Sequence, residues 1–150
     1  MSRATGAGAG RLRPYAQSLP FMLLRAREAV MGRIRPVLNA HGLTEQQWRV
    51  LRMLSATDEE EVTRLAAAAF LHAPSLSRIL RDLGSRGLIQ RRTPDSDLRR
   101  GLVRLTPQGA AVIAALEPEL AAVADAIETR YGDDRLAELR RLLEAIELAL

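Results

Sequence analysis

The chain has no cysteine, no lysine and very few aromatic residues. The missing cysteine removes disulfides, thiolate metal sites and cysteine nucleophiles together, and it fits a reducing cytoplasm. Aromatics make up 3% of 150 residues against 47% apolar residues, so the core must come from Leu, Ala, Val and Ile. Long Ala/Leu/Arg/Glu runs of this kind favour helices. No apolar run is long enough to span a bilayer, and no membrane partner is expected. Residues 1–17 carry Arg3, Arg11 and Arg13 among small residues but no apolar stretch. They read as a disordered N-terminal arm and not as a signal peptide. One compact domain over 18–150 is the natural expectation for this length.

What the chain does have is arginine, unevenly spread. The net charge is only +4. Yet from His72 to Leu105 eight arginines (Arg78, Arg81, Arg86, Arg91, Arg92, Arg99, Arg100, Arg104) face three acids (Asp82, Asp95, Asp97). From Thr106 onwards acids outnumber arginines nine to four. A basic middle joined to an acidic C-terminal part suggests a polyanion-binding segment on a scaffold with another task.

Periodicity predicts a first helix over 19–39, with Leu24, Met31, Ile34 and Leu38 on one face and Pro36 in its last turns. Thr44 and Gln47 form a capping-box pattern that opens a second helix, reaching about Ser55 with Trp48, Leu51 and Leu54 inward. Asp58–Glu61 reads as an acidic loop leading into a short helix over 62–69. Phe70–Ala73 is a tight turn, and Pro74 opens a fourth helix to Ser85 whose buried face is Leu76, Ile79, Leu80 and Leu83. Gly84 weakens that helix without an evident reason, and Gly87 ends it. Short strands are expected at 88–90 and 102–105, joined by a charged hairpin over 91–101. Thr106-Pro107 starts a fifth helix ending at Tyr131-Gly132, with Pro118 inside it, and a sixth begins at Asp133. Both carry narrow apolar stripes at 3, 4 spacing, which suit helix-against-helix packing.

The order short helix, turn, helix, strand, basic hairpin, strand predicts a mainly α fold with a small β-hairpin wing, a winged helix-turn-helix. The second helix of such a pair enters the DNA major groove, N-terminal residues first. Those residues are Ala73, Ser75, Ser77, Arg78 and Arg81, which share the face opposite the apolar one. The Arg78 fork suits guanine or phosphate. In the hairpin, Arg99 and Arg100 are candidates for a narrow minor groove, and Asp97 for holding Arg91 or Arg92 and stiffening the tip. An isolated hairpin of this composition would be only a solvated turn; its place after a helix-turn-helix favours the DNA role.

Leu83-Gly84-Ser85-Arg86-Gly87-Leu88-Ile89, Arg91-Arg92, Asp97-Leu98-Arg99-Arg100 and Leu105-Thr106-Pro107-Gln108-Gly109 together resemble the wing region of the MarR family of regulators, with Asp97 and Arg99 as its Asp-x-Arg motif. The resemblance covers 18–150. It implies a homodimer through the N- and C-terminal helices (19–39 and 106–150), a DNA-binding lobe at about 44–105, and a pseudo-palindromic double-stranded operator. Leu23–Ala29, Arg35-Pro36, Leu43–Arg49 and Pro74-Ser75-Leu76 are similar to the members that repress aromatic-acid (homoprotocatechuate-type) catabolic genes. A small aromatic acid is then the implied effector.

Arg27 falls inside the apolar arc of the first helix and needs a partner there. Either a carboxylate such as Glu117 or Glu128 meets it, or a ligand carboxylate does. Trp48 suits an aromatic ligand or simply the core. His41 suits a phenol hydroxyl or solvent. Arg25 and Arg49 lie off the apolar arcs and read as solvated or phosphate-facing. Two histidines without cysteine argue against a metal site, and no cofactor is implied. No nucleophile–base pair or phosphate-binding glycine loop points to an enzyme. A ligand-independent architectural DNA binder is the alternative from another class.

Overall fold

The computed structural model describes residues 14–97 and 100–150. The chain divides into two compact units, residues 1–33 and 34–150. The first begins with a 3-10 turn, Tyr15–Gln17, followed by helix α1, Leu19–Ala40, which continues into the second unit. Ser18 donates its hydroxyl to the Tyr15 carbonyl, and the Tyr15 and Phe21 rings lie 4.7 Å apart. Of the apolar face expected on α1, Leu38 is buried, Met31 and Ile34 are half-buried and Leu24 is exposed, as are Leu19, Met22, Leu23 and Val30.

The second unit holds α2 (Glu45–Leu54), β1 (Glu60–Glu61), α3 (Val62–Ala68), α4 (Ala73–Ser85), β2 (Ile89–Arg92), β3 (Leu102–Leu105), α5 (Pro107–Tyr131) and α6 (Asp133–Ala149). The capping box forms as expected. Thr44 Oγ1 accepts from the Gln47 N–H at 3.2 Å, and the Gln47 side chain accepts from the Thr44 N–H at 2.9 Å. Such a cap stabilises a helix start by about 1 kcal/mol. The core joins Leu38 of α1, Val50, Leu51 and Leu54 of α2, Leu65 of α3, Leu76, Leu80 and Leu83 of α4, Val103 of β3, and Ile113 and Leu116 of α5. Each such side chain contributes roughly 1.5–3 kcal/mol on burial. Trp48 packs on the edge of this cluster.

Two expectations about the sheet are corrected. Glu60 and Glu61 are not loop but a third strand, pairing antiparallel with β3 in the order β1-β3-β2. A two-residue strand has no periodicity to read, and only its partner makes it one. β2 runs to Arg92 and not to Gln90, so Arg91 and Arg92 lie on the ladder opposite Val103 and Leu102. The connecting loop is shorter than the expected 91–101 hairpin tip.

Gly109 is needed where α5 leaves the sheet. The Thr106 hydroxyl donates to the Gly87 carbonyl at 2.7 Å and accepts from the Gly109 N–H at 3.0 Å. This draws the first turn of α5 onto the Gly87-Leu88 segment just before β2, where a Cβ on Gly109 would overlap the Leu88 carbonyl and stand 2.7 Å from Leu105 Cδ1. Gly84 faces open space, and nothing in the structure explains it.

Candidate nucleic-acid interface

α3 ends in a Schellman turn. The Phe70 N–H bonds the Ala67 carbonyl at 3.1 Å, and the Leu71 N–H bonds Ala66 at 3.0 Å. The left-handed position of this motif usually holds glycine, but here it is Phe70, with φ of 52°. A side chain there costs of order 1–2 kcal/mol. Arg49 reinforces the corner by donating to the Ala69 carbonyl at 2.8 Å, while its other nitrogen holds Glu45 at 2.8 Å. Glu45 in turn accepts from Arg35 at 3.2 Å. Arg49 is therefore a partly buried brace of the turn and not the solvated or phosphate-facing arginine its helical position suggested. Sequence reasoning missed this because the carbonyl it serves lies 20 residues away.

The turn delivers α4 with Pro74 in its first turn. Leu76, Leu80 and Leu83 are buried and Ile79 half-buried, while Ala73, Ser75, Ser77, Arg78 and Arg81 are all exposed, as the periodicity predicted. Among the described residues no ion pair engages Arg78 or Arg81. Two guanidinium groups thus stand free on the polar face of a helix whose other face is anchored in the core.

The wing arginines differ. Arg92 grips Glu59 with two bonds of 2.7 and 2.6 Å, and this contact holds the Glu59 carboxyl below its usual range and raises Arg92. Arg100 meets Glu61 at 3.1 Å, and Arg104 bonds Gln90 across the ladder at 2.6 Å. The brace of Arg92 is thus Glu59, from the segment before β1, where Asp97 had been expected. The Asp97 N–H bonds the Pro94 carbonyl, and its own carbonyl accepts from Arg100, closing the loop. Arg91 is exposed on β2. Arg99 lies outside the described residues, as do Arg3, Arg11 and Arg13.

The ligand candidates fall in both units, and each has its own surroundings. Arg27, in the N-terminal unit, pairs with Glu28 at 2.9 Å and is 44% exposed, so it is not the buried charge its arc implied. Glu117 and Glu128, its expected partners, meet Arg52 at 3.7 Å and Arg140 at 3.0 Å. His41 Nε2 lies 2.7 Å from Glu119 Oε1 on α5, so it is a tethered side chain and not a solvated one. Trp48 carries the Arg52 guanidinium 5.7 Å from its ring centroid. Arg52 was overlooked, although an arginine four residues after a helical tryptophan falls on the same face. Among the described residues no group of three or more metal-ligating side chains occurs, and no helix is long and apolar enough to cross a membrane.

The profile of the MarR family matches residues 43–100. The homoprotocatechuate degradative operon repressor of Escherichia coli is 35% identical over 127 residues, 85% of this chain and 86% of that protein. Among solved structures, NadR in complex with 4-hydroxyphenylacetate is 34% identical with a TM-score of 0.76, over 90% of this chain and 96% of NadR. The repressor CouR bound to a 23-mer DNA duplex is 26% identical with a TM-score of 0.81, over 95% of this chain and 99% of CouR. A helix-turn-helix with a basic face, a three-stranded wing and this extent of similarity lead to one assignment: the chain belongs to the MarR family of transcriptional regulators.

Proposed function

We propose that the chain is a cytoplasmic homodimeric repressor, not an enzyme, that binds a pseudo-palindromic operator and releases it when a small aromatic acid binds. The observation that carries this is the exposed Ser75, Ser77, Arg78 and Arg81 face of α4, anchored from behind by three buried leucines. That is the form of a recognition helix. Arg91 and Arg99 are the wing's DNA candidates, while Arg92, Asp97 and Arg100 shape it. Residues 44–105 form the DNA-binding lobe. The apolar residues exposed on α1 and α6 are the surfaces that a second copy of the chain covers.

The effector reading draws on the relatives, one named for homoprotocatechuate degradation and one solved with 4-hydroxyphenylacetate. In this chain the indole of Trp48 beside the Arg52 guanidinium offers an aromatic surface next to a carboxylate-binding fork, for which a ligand competes with Glu117. His41 is a donor for a phenol hydroxyl, in competition with Glu119. Arg27 remains a separate guanidinium candidate for a carboxylate, tested on its own by Arg27→Ala. Release works by population shift: the acid must bind more tightly to a dimer whose two recognition helices no longer match successive major grooves.

The test is a titration against the chain's own upstream duplex at fixed salt, with and without 3,4-dihydroxyphenylacetate and 4-hydroxyphenylacetate. Sequence-preferring binding that either acid weakens is expected, with a change in the emission of the single tryptophan, Trp48. Binding indifferent to both acids removes the effector class. Absence of any sequence preference favours the architectural reading instead.

A further inference from the structure

We propose that Phe70 is a DNA-contacting residue, its ring packing on an apolar surface of the duplex beside the groove that receives α4. The inference rests on the reading of the chain as a DNA binder. Phe70 stands at the glycine position of the Schellman turn, with φ of 52°, and the residue is 88% exposed. Stability alone favours the opposite on both counts, a glycine in the backbone or a buried ring. The corner is nonetheless held tightly. The N–H groups of Phe70 and Leu71 are tied to α3, and Arg49 clamps the Ala69 carbonyl just before it. A strained, exposed residue fixed by its surroundings marks a functional position.

Its place selects the partner. Only Leu71 and His72 separate Phe70 from the start of α4. His72, Ala73, Pro74 and Ser75 are all exposed, so the chain from Phe70 into the face assigned to DNA lies at the surface. A duplex offers a phenyl ring two apolar surfaces at that depth, the thymine C5-methyl group and the deoxyribose.

The experiment compares wild type, Phe70→Gly and Phe70→Leu. Each is titrated by fluorescence anisotropy against the upstream duplex at several salt concentrations, then against the same duplex with deoxyuridine replacing thymidine. Phe70→Gly should melt higher by about 2–4 °C. It should bind about tenfold more weakly, the scale of one lost base contact. The slope of affinity against salt should not change, because no phosphate contact is removed. Phe70→Leu should bind between the two. If deoxyuridine weakens wild type and abolishes the difference between wild type and Phe70→Gly, the contact is the thymine methyl; if the difference persists, it is the deoxyribose. Unchanged affinity of Phe70→Gly beside a tightly bound wild type overturns the inference and leaves the DNA-binding reading intact. So does a lower melting temperature, which would make the ring structural, or a changed dimer mass in ultracentrifugation, which would place it in a protein interface. A wild type with no affinity for any duplex removes the underlying reading itself.

Discussion

Single side chains decide two of the closest approaches in this protein. At Gly109 there is no room for a Cβ between the Leu88 carbonyl and Leu105. The Gly109→Ala variant should lose about 1–3 kcal/mol or more, measured by urea unfolding, because the first turn of α5 must lift from the sheet. At Glu59 the effect is electrostatic. The hydrogen bonds from Arg92 lower the Glu59 pKa from 4.5 in the folded chain. The clamp therefore contributes fully above that ordinary value and is lost as pH falls through the depressed one. With the intrinsic pH dependence of exchange divided out, the protection of wing amides should fall in wild type as pH drops below the ordinary carboxylate value and through the depressed one. In Glu59→Gln that protection should be low throughout and independent of pH, because the neutral amide does not titrate. Both groups are solvent-facing, so salt should weaken the clamp as well.

Helices and strands differ in how much of their existence is local. α2 is specified by its own residues: the Thr44–Gln47 box starts it and the Val50, Leu51 and Leu54 side seats it. α4 is equally plain, except for Gly84, which sits exposed in a helix with no neighbour around its Cβ position. Gly84→Ala should therefore stabilise the chain by about 0.5–1 kcal/mol, seen as a higher denaturation midpoint. Strand β1 is the contrary case. Glu60 and Glu61 have low strand propensity, and they become a strand because β3 offers an open edge. Its acids then reach the wing: Glu61 pairs with Arg100, and Glu59, just before the strand, pairs with Arg92. Neither partner is visible along the sequence, because β1 comes beside the wing only through its pairing with β3.

At the scale of the molecule, one chain leaves much apolar surface uncovered. α6 has no buried residue, and Leu139, Leu142, Leu143 and Leu148 are exposed along it. Leu139, Leu142 and Leu143 recur at helical spacing, and an exposed apolar stripe of this kind suits an interface. Leu143→Glu should halve the mass seen in analytical ultracentrifugation and abolish operator binding, since one half-site contributes too little alone. A variant that stays dimeric would place the interface elsewhere.

The winged helix-turn-helix, the boundaries of α1 through α6 to within a residue or two, and the exposed face of α4 were determined by the sequence itself. They depend on short-range rules: capping residues, proline and glycine placement, and the 3.6-residue period. Only the tertiary structure decided the partners of charged side chains. Arg49 on the Ala69 carbonyl, Arg92 on Glu59 and His41 on Glu119 depend on where distant groups come to rest. A long guanidinium side chain has many acids within reach along a sequence, and only folding selects among them.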